Sequence, residues 1–220
     1  MPGYLIAHDL GTTGNKATLF TTGGELVDSV TTAYGTHFFQ DVCAEQNPLD
    51  WWRAVCDSTS RLLRGRDPAL VRGMAFSGQM MGCVCVDKQG EPLRDAIIWA
   101  DQRSAEEAAQ LRQRIGEREF YRITGHRASP SYTIEKLMWI RSHQPEIFAR
   151  TYRCLQPKDY VIYKLTGSFV TDYTDASGTN AFDLERLCWS APIFQAAGLD
   201  PSVMPPVFPS THVAGGVHMG

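Results

Sequence analysis

The chain has 220 residues, 43% of them hydrophobic and 20% charged, with a formal net charge of −3. This balance supports a folded core, excludes wholesale disorder, and argues against a nucleic-acid partner or a polybasic membrane surface. No apolar run approaches ~18 residues, and Met1-Pro2-Gly3-Tyr4 lacks the charged and apolar regions of a secretory signal, so a soluble cytoplasmic chain is expected.

Residues 4–8 read as a strand that turns at Gly11-Thr12-Thr13-Gly14, and residues 16–20 return. Gly23-Gly24 leads into a third strand at 25–33, so an antiparallel meander should open a mixed sheet. Asn47-Pro48 predicts a helix start. Trp51, Trp52, Val55, Cys56, Thr59, Leu62 and Leu63 follow at helical spacing, which places both tryptophans in the core. Residues 71–77, 83–87 and 96–99 read as strands, with a turn at Lys88-Gln89-Gly90. Ser104-Ala105-Glu106-Glu107 predicts a capping box opening a helix to about Ile115. Further helices are expected at 117–124, 132–143, 145–150, 157–166 and 190–197. The six cysteines are scattered. Cys83-Val84-Cys85 puts two sulfurs on one strand face without a second pair or a zinc-type histidine spacing, so reduced thiols filling core gaps are expected.

The strongest local chemistry lies in Asp9-Leu10-Gly11-Thr12-Thr13-Gly14-Asn15-Lys16. Two glycines let a tight turn expose backbone N–H groups, and two threonines add hydroxyls, a concavity suited to phosphate oxygens. Asp9 could hold Mg²⁺ through water, and Lys16 adds positive charge. The motif is not a Walker A loop, and an ordinary hairpin turn explains the same residues equally well. Asp101-Gln102-Arg103 likewise reads as a solvated turn on its own residues, and Asp172 and Asp175 as ordinary turn chemistry. Lys136 and Trp139, three apart on one helix, fit a structural role at least as well as a catalytic one. The histidines at 8, 37, 126, 143, 212 and 218 form no base–nucleophile arrangement.

Four further segments recur in order: Ala44-Glu45-Gln46-Asn47-Pro48, Gly78-Gln79-Met80-Met81-Gly82, Trp99-Ala100-Asp101-Gln102-Arg103, and Ser131-x-Thr133-x-x-Lys136-Leu137-x-Trp139-Ile140. With Gln156-Pro157-Lys158-Asp159-Tyr160 and Thr174-Asp175-Ala176-Ser177-Gly178-Thr179, the ordered set resembles the FGGY family of carbohydrate kinases, the xylulokinases most closely. The resemblance covers nearly the whole chain. It implies an α/β ribonuclease-H-like (actin/hexokinase-type) domain with a mixed sheet and flanking helices, ATP and Mg²⁺ as cofactors, and phosphorylation of a sugar hydroxyl. It implies phosphate binding by Asp9, Gly11, Thr12, Thr13 and Lys16, with the metal at Asp9. It implies a sugar pocket lined by Gln79, Met80, Met81, Trp99, Asp101 and Arg103, with Asp175 nearby. In that pocket Asp101 would accept from sugar hydroxyls, Arg103 would donate in a fork, and Trp99 would wall the C–H face.

Two departures carry weight. Met81 stands where xylulokinases commonly have a histidine, so another pentulose, a polyol or a deoxygenated sugar competes with xylulose. The family's general-base aspartate lies in a glycine-rich segment beyond the last residue, Gly220. The expectation is therefore that residues 1–220 form most of the N-terminal domain of a longer kinase, inactive without the C-terminal ATP-binding domain, with a homodimer as the family's frequent assembly. A non-catalytic sugar-binding or interaction module, or an actin-like nucleotide-binding protein, remains the alternative.

Overall fold

The computed structural model describes residues 3–217, so the readings of Met1-Pro2 and of His218-Met219-Gly220 lie outside it. Strands β1 (Tyr4–Leu10), β2 (Gly14–Thr21) and β3 (Leu26–Ala33) form the expected meander. Alternation fixes its register, because Ile6, His8 and Leu10 of β1 and Asn15, Ala17 and Leu19 of β2 all point inward. A short hairpin follows, β4 (His37–Phe39) with β5 (Cys43–Gln46), which the sequence reading missed because strands of three and four residues show too little periodicity.

Helix α1 (Pro48–Leu62) starts where predicted: the Asn47 side chain accepts from the Leu49 N–H at 2.9 Å. Such a cap contributes about 1 kcal/mol. Trp51 is fully buried and Trp52 half-buried, in keeping with a core role. The helix lies against β2 and β3 and returns the chain to β6 (Val71–Gly78), which pairs parallel with β1. The sheet order is β3-β2-β1-β6, a mixed sheet.

Beyond it, β7 (Val84–Val86) and β8 (Ala96–Ile97) are shorter than expected. β8 extends the β4–β5 hairpin. Helices α2 (Ala105–Ile115), α3 (Glu117–Thr124), α4 (Thr133–His143), α5 (Pro145–Arg150) and α6 (Pro157–Thr166) fall within a residue of their predicted bounds. β9 (Arg153–Leu155) separates α5 from α6 and pairs with β7. β10 (Thr171–Asp172), α7 (Tyr173–Ser177), β11 (Phe182–Asp183), β12 (Cys188–Trp189), α8 (Ala191–Ala197) and β13 (Val207–Phe208) complete the described chain. Of these only α8 was read from the sequence.

Two expectations are corrected. The capping box at Ser104 does not form: its hydroxyl donates to the Pro130 carbonyl at 3.1 Å and caps nothing, while Glu107 is buried. The cysteines are all free, with Cys83 and Cys154 sulfurs 3.5 Å apart in the core, but Cys56 and Cys188 are exposed and fill no gap.

Candidate active site

β1 and β6 run parallel and end side by side at Leu10 and Gly78. Gln79 continues the ladder by one step, its N–H donating to the Leu10 carbonyl at 2.7 Å. Ligands of open α/β sheets lie off the carboxyl ends of such strands, and two loops leave this edge.

The first loop turns at residues 11–14, closed by the Gly11 N–H on the Gly14 carbonyl at 3.0 Å. Its carbonyls are tied down from behind. Tyr34 donates its hydroxyl to Gly11 at 2.5 Å and its N–H to Thr13 at 3.2 Å, and Gln46 donates to Thr12 at 2.7 Å. The Thr12 and Thr13 amides have no acceptor among the described residues, which leaves two N–H donors unpaired. Gly11, by contrast, spends its amide within the turn and has no free N–H to offer a ligand. Asp9 and Lys16 sit opposite each other across β1 and β2, both exposed, and neither forms an ion pair among the described residues. A lone carboxylate beside two free amides fits Mg²⁺ held largely by phosphate oxygens and water, which needs few protein ligands. No three-residue His/Cys/Asp/Glu cluster for a protein-caged metal exists among the described residues.

The second loop, residues 79–82, is held from several sides. Gln79 donates its side-chain amide to Gln46 at 2.7 Å. Met81 adopts a left-handed backbone, φ +66°, and its carbonyl accepts from the Lys136 ammonium at 2.6 Å. Lys136 also donates to the Ser131 carbonyl, so one fully buried lysine ties two loops together. Burial pushes it down to about 8. Gln156 brackets Gly82, accepting its N–H and donating to its carbonyl, both at 3.1 Å. A side chain at Gly82 would put its Cβ 2.7 Å from the Pro157 ring, so only glycine fits. Met80 packs on Gly178, which brings α7 and Asp175 alongside. Asp175 is buried and ion-paired to Lys158 at 3.4 Å, and burial pushes its carboxyl up to about 6. Asp172 caps α7, accepting from the Thr174 and Asp175 amides, the turn role read for it, and also pairs with Lys158 at 2.6 Å.

The third wall comes from residues 99–103. Trp99 is 43% exposed, and its indole N–H donates to the Thr12 hydroxyl at 3.0 Å. Asp101 is neither solvated nor open to a ligand, at 0% exposure. Its oxygens accept from the Ala44 N–H at 2.6 Å, from the Arg103 N–H at 3.0 Å, and from two guanidinium nitrogens at 2.7–3.0 Å. Arg103 also pairs with Glu45 at 2.8 Å and lies over the Phe39 and Trp139 rings. The solvated-turn reading and the expectation of direct sugar contact by Asp101 and Arg103 both fail against this geometry. The two close on each other and brace the wall.

The organisers are Gln46, Gln156 and Lys158, to which sequence reasoning gave no individual role, and Lys136, for which it weighed a structural role against a catalytic one. Each lay inside a recurring segment, but nothing in the sequence says which partner it would meet 14 to 74 positions away.

A sheet of order β3-β2-β1-β6 with an amide-out turn on its first hairpin defines a ribonuclease-H-like domain of the actin/hexokinase type. The chain belongs to the FGGY family of carbohydrate kinases: the profile of that family's N-terminal domain matches residues 4–219. It is 32% identical over 212 residues to the xylulose kinase of Staphylococcus xylosus, covering 96% of this chain and 44% of that protein. Among solved structures it superposes on a gluconate kinase from Lactobacillus acidophilus (TM-score 0.93, 27% identity, 100% of this chain and 44% of that one). A ligand-bound xylulose kinase from the same organism matches as well (TM-score 0.92, 28% identity, 99% and 44%). The chain thus spans a little under half the length of these relatives.

Proposed function

We propose that residues 1–220 are most of the N-terminal, sugar-binding domain of an ATP-dependent kinase that phosphorylates a sugar hydroxyl, a pentulose such as xylulose first among candidates. The observation that carries this reading is the Trp99–Thr12 hydrogen bond, which sets an exposed apolar ring, suited to a sugar's C–H face, directly against the turn suited to phosphate. The xylulose and gluconate kinases among its relatives support it.

In this reading the Thr12 and Thr13 amides and Lys16 hold phosphate oxygens, while Trp99, Gln79, Met80 and Met81 line the sugar pocket. Asp101 and Arg103 position the Trp99 wall, and Asp175 with Lys158 supports the pocket behind Met80. Asp9 would hold Mg²⁺, which would supply charge neutralisation at the γ-phosphoryl group donated by ATP, so that this chain's part in catalysis is chiefly positioning and electrostatics. The sugar oxygen bonds to phosphorus as the bond to ADP breaks, and its proton passes to a carboxylate carried by the remainder of a longer chain. Closure of an ATP-binding domain over this one would exclude water. Met81 offers a thioether where a hydrogen-bonding reader is common, so the pocket favours a sugar with fewer polar demands at that point. A cytoplasmic enzyme, with ATP at hand and its thiols reduced, is the setting, and a homodimer its assembly.

The test is ATP-dependent phosphorylation by the complete gene product over D-xylulose, D-ribulose, gluconate, xylitol and glycerol. Phosphorylation of a pentulose with a kcat/KM at least ~10-fold above the other classes is expected. Absence of transfer to every member, or equal ATP hydrolysis with and without sugar, overturns the reading. Residues 1–220 alone are expected to transfer no phosphate.

A further inference from the structure

We propose that Gln46 is the positioning residue that holds the phosphate turn and the sugar loop in fixed relation, an assignment that rests on the kinase reading above. Gln46 is the last residue of β5 and is 2% exposed. Its Nε2 donates to the Thr12 carbonyl at 2.7 Å and to the Thr36 hydroxyl at 2.8 Å, with the Gly35 carbonyl further off at 3.3 Å. Its Oε1 accepts from the Gln79 side-chain amide at 2.7 Å and from the Trp51 indole at 3.1 Å. A primary amide has two N–H donors and two lone pairs, so the whole capacity of this side chain is used.

The partners also fix which way the amide faces. The Thr12 carbonyl can only accept and the Trp51 indole can only donate, so a flipped amide would place like against like on both sides. The backbone behind it is equally constrained: Gln46 pairs with Ala96 of β8, and Asn47 caps α1. A rigid strand end therefore bridges Thr12 and Gln79, 34 and 33 positions away in opposite directions along the chain. Phosphoryl transfer needs attacking oxygen and phosphorus in line within ~3–3.5 Å, and a ~1 Å misplacement costs ~10²-fold in rate. The Thr12 turn carries one reactant and the Gln79 loop the other. A primary amide can donate to one and accept from the other at the same time, with a second donor and a second acceptor site to spare for Thr36 and Trp51.

Gln46→Glu and Gln46→Met in the complete gene product test this. The glutamate keeps an acceptor for Gln79 and Trp51 but repels the Thr12 carbonyl. Its expected signature is a sugar Kd within ~3-fold of wild type with kcat down ~10²-fold, a split that loss of stability alone does not produce. The methionine removes both links, and the Gly11 and Gln79 amides are expected to lose hydrogen-exchange protection together. Full kcat and unchanged KM values in Gln46→Glu, with only a lower Tm, overturn the assignment, as does exchange that loosens one loop and spares the other. If Gln46→Met does not fold, the glutamate variant is read by both measurements. If the wild-type protein phosphorylates no sugar, the kinase reading falls, and the exchange comparison still decides whether Gln46 couples the loops.

Discussion

The two loops at the carboxyl edge of β1 and β6 share Gln46 as a support and differ in where their polar groups are spent. The turn at 11–14 leads directly from one strand of a hairpin to the next, and its charged neighbours Asp9 and Lys16 stand free in solvent. The loop at 79–82 forms no backbone hydrogen bond within itself. It is fixed by Gln46, Lys136 and Gln156, three buried side chains from distant parts of the chain. One loop keeps its chemistry exposed and gains little stability from it. The other spends buried polar groups on holding a shape. Substitutions should therefore divide: those at the first loop remove activity and leave the fold, and those behind the second cost stability as well.

The largest expected effect tests the first half. On the proposed function, Asp9→Ala in the complete gene product should lower phosphoryl transfer by ~10³-fold, the scale of losing one electrostatic stabiliser of the transition state. Its Tm should stay within ~2 °C, because an exposed unpaired side chain contributes little to stability. A large fall in Tm on thermal unfolding would end the contrast.

Arg103→Met tests the second half. It leaves the fully buried Asp101 carboxylate without its guanidinium, while Glu45 keeps its pairing with Arg94. Breaking a buried pair from one side costs about 3–5 kcal/mol, readable from the urea midpoint at constant m. A loss below ~1 kcal/mol would mean the third wall is not braced as described.

Next comes pH. Glu135, buried beside Lys136, accepts from the Ser129 N–H and the Asn180 amide, and burial pushes its carboxyl up to about 8. Between about 4.5 and about 8 the folded state holds a proton that the unfolded state has released. Its contribution is therefore fully present below 4.5 and is lost as pH rises through 8. Glu135→Gln should flatten that decline in urea titrations from pH 5 to 8, by more than ~1 kcal/mol at the upper end. Lys136 works in the other direction, since its lowered pKa relieves a burial penalty as pH climbs from about 8 toward 10.5. The smallest effect, Asn47→Ala, removes one cap and should cost about 1 kcal/mol without touching either loop's hydrogen bonds.

Much of the fold was legible in the sequence because its signals are local. Asn47-Pro48 at α1, the meander's alternation and the glycine turns each depend on residues within a few positions of one another. The Ser104 capping box was legible and wrong: the same hydroxyl that suits a cap found the Pro130 carbonyl instead. The strands β4, β5 and β9 to β13 and the helix α7 were not read, because elements of two to five residues are too brief to show a period, and β10 forms only where Val207 and Phe208 pair with it.

The sequence by itself determined the glycine turn at 11–14, the helices and the identity of the residues that gather at the sheet edge, since spacing and residue type are written along the chain. Only the tertiary structure decided their roles. It turned Asp101 and Arg103 inward as a brace, and made Gln46 and Lys136 organisers of loops far from them in sequence. The physical reason is that a buried polar group must find a partner or pay its desolvation cost, and which partner lies within ~3 Å is fixed by packing alone.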